Sequence, residues 1–178
     1  MKRRKIYHAR LMYARPFIDS LDFARKWREI SGEMPIAELP RLQEMLDSSR
    51  GVLHYTVQGG VDKQGMHFLD VSLTGLCRLR CQRCLQGLDY PVQLDSRLLL
   101  RDQASLKVLD MVVDNEEEFD SIAADSNLNL LELLEEELLL SLSIAPKHEL
   151  GACQATDANN SHLEEQNPFA VLAELKRN

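Results

Sequence analysis

Between Val52 and Leu100 apolar and polar residues alternate, a period of two that restricts the middle of the chain to strands with one buried face. Val52-Leu53-His54-Tyr55-Thr56-Val57 is the first such run, and Gly59-Gly60 reads as its stop. Met66 to Leu76 is the second, carried on through Leu79 to Cys81. Tyr90 to Leu100 is the third, with Val92, Leu94, Leu98 and Leu100. Gly59 to Gly65 has the composition of a hairpin turn. Short turns between consecutive strands point to an antiparallel meander rather than strand–helix–strand units. A less regular stretch follows, with a strand candidate at Lys107 to Val113 and a loop at Asp114 to Glu118.

Helical spacing flanks this region. Asp19 to Ile30 places Leu21, Phe23, Ala24, Trp27 and Ile30 on one side, with Asp19 or Ser20 as cap. Ile36 to Leu46 places Leu39, Leu42 and Leu46 together, with Pro40 tolerable only in a first turn. Leu128 to Ile144 is the strongest helix. Its leucines are too many for a single stripe, so it is expected to be buried on more than one side of a core. Asn129 or Ser126 can start it, and Pro146 ends it. The expected fold class is α+β: an antiparallel sheet of about five strands in a meander, with N-terminal helices and the long Leu-rich helix packed on it. The expected organisation is one domain over residues 1–154, comprising a basic helical part (1–50), the sheet (51–120) and the core helix (128–144). A polar linker is expected over 155–166. Asn167-Pro168 then caps a short helix whose apolar side, Phe169, Leu172 and Leu175, is a candidate partner-binding face.

The 178 residues suit one domain, and no run reaches the ~20 apolar residues of a membrane span. Met1-Lys2-Arg3-Arg4-Lys5 resembles the start of a signal peptide, but His8, Arg10 and Arg15 interrupt any apolar stretch after it. A cytoplasmic location is the expectation. Net charge is −7, unevenly spread: +4 over residues 1–50, +1 over 51–100 and −12 over 101–178. An acidic C-terminal half repels phosphate and attracts a basic partner. Aromatic residues are only 6% of the chain, which argues against an extensive stacking platform for single-stranded bases.

Cys81-Gln82-Arg83-Cys84 lies in a tight turn between two strands. Two thiolates at this spacing can share a tetrahedral Zn²⁺, and His148 and Cys153 after the core helix can complete a Cys₃His set. Cys77 is an alternative ligand, because it falls on the same side of the strand as Cys81. Plain thiols in a turn, or redox chemistry of the pair, are the competing readings; the redox one lacks the helix N-terminus that lowers a thiol pKa. Arg78, Arg80 and Arg83 decorate the same turn and form the best basic patch for RNA phosphates. His8, His54, His67, His148 and His162 are scattered, although His54 and His67 fall in adjacent strands. The runs Glu116-Glu117-Glu118 and Glu135-Glu136-Glu137 read as solvated charge. No phosphate-binding loop, nucleophile elbow or dinucleotide fingerprint is present. The expectation is a protein that is not an enzyme.

Leu79-Arg80-Cys81-Gln82-Arg83-Cys84, the acidic stretch before a Leu/Glu-rich helix, Pro146-x-His148 with Cys153, and the ending Asn167-Pro168-Phe169-Ala170-Val171-Leu172-Ala173-Glu174-Leu175-Lys176 together resemble the bacterial YceD family, the large ribosomal RNA subunit accumulation proteins. The resemblance runs from about Gly51 to the C-terminus. It implies a role in accumulation of large-subunit ribosomal RNA, hence in ribosome biogenesis, and brings with it no known enzymatic activity. It maps the family's paired cysteines onto Cys81 and Cys84 and its later pair onto His148 and Cys153, leaving Cys77 as an extra. The expected mechanism is binding of a basic ribosomal protein or assembly factor by the acidic half. Direct contact with ribosomal RNA through the arginines is the alternative, and a thiol enzyme ranks last.

Overall fold

The computed structural model describes residues 6–8, 17–105 and 120–153. In chain order its elements are β1 (Ile6–His8), β2 (Phe17–Ile18), α1 (Ser20–Arg25), β3 (Glu29–Pro35), β4 (Leu46–Ser48), β5 (Val52–Val61), β6 (His67–Arg80), β7 (Gly87–Arg101), β8 (Asp120–Ala123), β9 (Leu128–Asn129) and α2 (Leu130–Ser141). The alternating run becomes β5, β6 and β7, three successive antiparallel strands. Leu53, Tyr55 and Val57 of β5 point into the core, with Leu69, Val71, Leu73, Cys77 and Leu79 of β6 and Val92, Leu98 and Leu100 of β7. The opposite face is polar, with Thr56, Gln58, Asp70, Ser72, Asp95 and Arg97 lining a shallow groove. Arg97 makes a two-pronged ion pair with Asp70, at 2.6 and 2.8 Å, and lies over the Phe68 ring.

The class is α+β, but the sheet is not a five-strand antiparallel meander. Its path is β1-β3-β5-β6-β7-β8, with β4 pairing β6 beyond the end of β5. Both outer pairs, β1 with β3 and β7 with β8, are parallel. Parallel neighbours need a crossover between them. Between β1 and β3 that crossover carries α1; between β7 and β8 it spans residues 102–119. A second, two-stranded sheet joins β2 to β9. Ser20, fully buried beside it, donates its N–H to the Asp125 carbonyl, and its hydroxyl accepts from Asp125 N.

Three element boundaries differ from expectation. The first helix ends at Arg25, not Ile30. Trp27 takes a left-handed conformation (φ 50°), its N–H donates to Ala24 O, and Arg28 N donates to Phe23 O. This is a Schellman stop, with a tryptophan where glycine is usual. The chain beyond it turns into β3. Ile36 to Leu46 is not one helix but two 3₁₀ turns, Ile36–Glu38 and Leu42–Met45, followed by β4. Gly59-Gly60 does not stop β5. A Cβ on Gly59 would lie 2.7 Å from Ala24 Cα, and one on Gly60 would meet the Phe68 ring, so both glycines admit close neighbours within a continuing strand. The hairpin turn is instead set by Asp62, whose carboxylate accepts from Gln64 N and Met66 N at 2.8 Å.

The Leu-rich helix spans Leu130–Ser141, with Asn129 as its cap. Leu130, Leu133, Leu134 and Leu138 are buried, and Glu132, Glu136 and Leu140 form a narrow exposed stripe. Two glutamates read as solvated are buried here. Glu135 Oε1 accepts from Arg41 N (2.7 Å) and Leu42 N (3.0 Å), satisfying the start of the second 3₁₀ turn. Glu137 Oε2 accepts from the Ser96 hydroxyl at 2.6 Å. The strand candidate at 107–113, the Glu116-Glu117-Glu118 loop, the 155–166 linker and the Phe169, Leu172 and Leu175 face lie outside the described residues.

Candidate metal centre

The far end of the β6–β7 hairpin turns at residues 81–86. Cys81 N donates to Gln86 O and Leu85 N to Cys81 O, both at 2.9 Å. Leu85 takes up the left-handed conformation that closes the turn (φ 61°). The chain leaving α2 crosses this turn: Gln82 N donates to Pro146 O at 2.9 Å. Residues 148–153 then fold back over it.

This crossing brings Cys81, Cys84, His148 and Cys153 together, their ligand atoms all within 4.8 Å of one another. Cys81 Sγ lies 3.8 Å from Cys153 Sγ. Cys84 Sγ and Cys153 Sγ lie 3.4 and 3.7 Å from His148 Nδ1. The other imidazole nitrogen, Nε2, is 3.1 Å from the Gly87 carbonyl. That oxygen can only accept, so Nε2 carries the proton and Nδ1 presents its lone pair to the thiols. Cys81 is fully buried, and the other three are partly exposed. This donor set is able to hold a metal ion.

The electrostatics favour negative sulfur at Cys81. Burial works against ionising Cys81, but N–H groups of Cys84, His148 and Arg83 converge on it and lower its pKa to about 5. At Cys84 the Gln86 N–H pulls the other way, yet burial and the competing thiols Cys153 and Cys81 leave its pKa raised. Hydrogen bonds to Cys153 and Cys81 raise the pKa of His148.

Arg83 belongs to this cluster. Its Nε donates to Cys153 Sγ at 2.9 Å, and its Nη2 reaches the carbonyls of His148 (3.2 Å) and Glu149 (3.1 Å). The other two arginines also have partners within the chain. Arg78 pairs with Asp47 (2.9 Å) and Asp89 (3.3 Å), and Arg80 donates to Leu46 O at 3.3 Å. Cys77, the alternative ligand, lies apart from the cluster. It is buried against the core, where desolvation raises its pKa to about 11. His54 and His67 are not cross-strand neighbours: His54 pairs with Thr74, and His67 with Val61 at the other end of the strand. The Gly87 carbonyl and the thiol-directed N–H groups were invisible in the sequence, because backbone groups leave no residue signature. Arg83 was visible only as a charge.

A family model described as "Large ribosomal RNA subunit accumulation protein YceD" matches residues 69–176, a span that holds all four clustered side chains. No solved structure matches the chain.

Proposed function

We propose that this chain, which belongs to the YceD family of large ribosomal RNA subunit accumulation proteins, supports accumulation of that RNA as a non-enzymatic, cytoplasmic accessory factor. It acts by holding a basic ribosomal protein or assembly factor. The observation that carries the RNA-accumulation reading is the family match over residues 69–176, which takes in the cysteine cluster and nearly all of the acidic C-terminal half.

The charge split supports a protein partner: −12 over residues 101–178 is suited to a cationic surface and ill suited to RNA. Exposed apolar side chains point the same way. Leu85, Ile144 and Leu150, 65%, 98% and 94% exposed, sit on the two segments that form the cysteine cluster. The arginines that would contact RNA spend donors on Asp47, Asp89, Cys153 and main-chain carbonyls. The buried glutamates satisfy backbone and hydroxyl groups, so their role is structural. Among the described residues no helix is long and apolar enough to cross a membrane.

A pull-down with the tagged full chain, with and without ribonuclease, tests the reading. The expected outcome is a basic ribosomal protein or assembly factor retained after ribonuclease and released as salt rises through a few hundred millimolar. Complete loss on ribonuclease treatment would reject it in favour of direct RNA contact. In that case Arg78→Ala, Arg80→Ala and Arg83→Ala combined should abolish capture.

A further inference from the structure

We propose that the open face of the sheet docks a single extended, basic segment of a partner protein, with an apolar side chain near each end; this rests on the reading that the partner is basic. Both described helices lie on the other face: α1 packs against Gly59, and Glu137 of α2 reaches Ser96. The open face is built from the side chains that alternate with the core residues of β3, β5, β6 and β7, and residues paired across the strands share it. Its two ends are apolar. At one end Val52 pairs with Pro35 and Leu76 with Pro91, and Val52 and Leu76 are exposed. At the other, Phe68 lies between Gly60 and Leu99, and the exposed Trp27 packs edge-on against it.

Between these ends every side chain on the face is polar. Four carboxylates, Glu29, Glu33, Asp70 and Asp95, stand there with two basic groups, Arg97 and His54. Arg97 bonds both oxygens of Asp70 and lies over the Phe68 ring, so its charge is met within the chain. His54 Nδ1 is 3.8 Å from Glu33. Glu29 and Asp95, on the outer strands β3 and β7, have no basic partner among the described residues. The face is complementary to positive charge and unsuited to phosphate. Its neutral groups set the form of the occupant. Thr56, Gln58, Thr74 and Gln93 carry hydroxyl and amide groups with no partner among the described residues. An extended main chain can bond them, whereas a helix has already satisfied its own backbone. From Leu76 to Phe68 the face runs about 26 Å along β6, and about 14 Å separate its outer strands. That area suits one segment of about nine extended residues and falls well short of the ~800 Å² per partner of an interface between folded domains.

The probe is a nine-residue synthetic peptide with leucine at each end and three lysines between, titrated into the isotope-labelled full chain. Amide NMR shifts are expected in residues 29–33, 54–58, 70–76 and 93–97, and a peptide with glutamate in place of lysine should give none. Glu29→Gln combined with Asp95→Asn should bind the lysine peptide about 3–10-fold more weakly, and Leu76→Ser by a similar factor. Thr56→Arg, which puts bulk and positive charge in the groove, should weaken it by more than about tenfold. Glu136→Gln, on the exposed stripe of α2, should leave it unchanged. The carboxamide pair keeps shape and acceptors, so it decides the matter even if Thr56→Arg fails to fold. Absence of shifts, shifts gathered in residues 120–153, or equal binding of the glutamate peptide would overturn the docking face. So would a short single-stranded RNA that moved these amides more than the peptide did. If folded Thr56→Arg still retains the basic partner after ribonuclease, the face falls and the proposed function stands. If ribonuclease releases everything while the peptide keeps its place, the proposed function falls and the face stands.

Discussion

Glu137 sits at the inner side of α2 with its carboxylate against Ser96. Burial raises its pKa, the Ser96 hydroxyl opposes that rise, and the neighbouring charges of Asp120 and Glu136 add to it. The sign of the consequence follows from linkage. A carboxyl raised in the folded state ionises first in the unfolded chain, so stability falls as pH climbs from the ordinary carboxylate range through the raised value. Below that range the cost is absent. Glu137→Gln keeps an acceptor for Ser96 and removes the charge. It should be as stable as the parent or more so at pH 7, with the advantage fading at pH 4 in urea melts. A glutamine variant clearly less stable at pH 7 would refute this account. Cys77 is the opposite kind of buried group, a thiol raised to about 11 by desolvation. It stays neutral at every physiological pH and behaves as a small apolar side chain.

At the scale of elements, α1 lies close enough to β5 that only glycine fits at position 59. Gly59→Ala should therefore destabilise the protein by about 1–3 kcal/mol through overpacking, read as a lower denaturant midpoint at unchanged slope. The cap of α2 makes a second prediction. Asn129 accepts from Leu131 N at 3.2 Å and donates to Glu132 at 2.7 Å, so Asn129→Ala should cost about 1 kcal/mol in the same measurement. The central hairpins were legible because apolar and polar residues alternate along most of each strand, and the core helix because its leucines crowd together behind the cap Asn129. The first helix is shorter than its apolar spacing suggests because nothing at Lys26-Trp27-Arg28 announces a stop; the tryptophan that ends it takes positive φ and packs edge-on against Phe68. Ile36 to Leu46 shows leucines at helical spacing, yet two 3₁₀ turns place Ile36, Leu39, Leu42 and Leu46 in the core equally well. The parallel outer strands were hidden for a different reason: three or four residues are too few to show a period, and their partners are set by tertiary packing.

For the whole molecule, the Cys81, Cys84, His148 and Cys153 cluster is the contact that joins the tip of the β6–β7 hairpin to the chain that follows α2. Chelating metal from the full chain should lower its melting temperature and increase amide hydrogen exchange in residues 81–86 and 142–153, with the middle of β5 and β6 little affected. Uniform loss of protection would instead indicate that the centre is required for the whole sheet. The four side chains were legible as a set because Cys-x-x-Cys has a fixed bite and His148 and Cys153 are the remaining close pair. What the sequence withheld was the route by which they meet, the crossing of Pro146 over Gln82. That crossing has a mechanical meaning. Without a metal, tension applied at residue 153 passes back through Leu142 and along α2. With one bound, the load enters directly at the tip of the β6–β7 hairpin, whose thirteen paired positions extend roughly 40 Å. A partner that grips the chain after Cys153 would then pull on the longest ribbon in the fold from its end, and would feel its stiffness rather than that of a single helix.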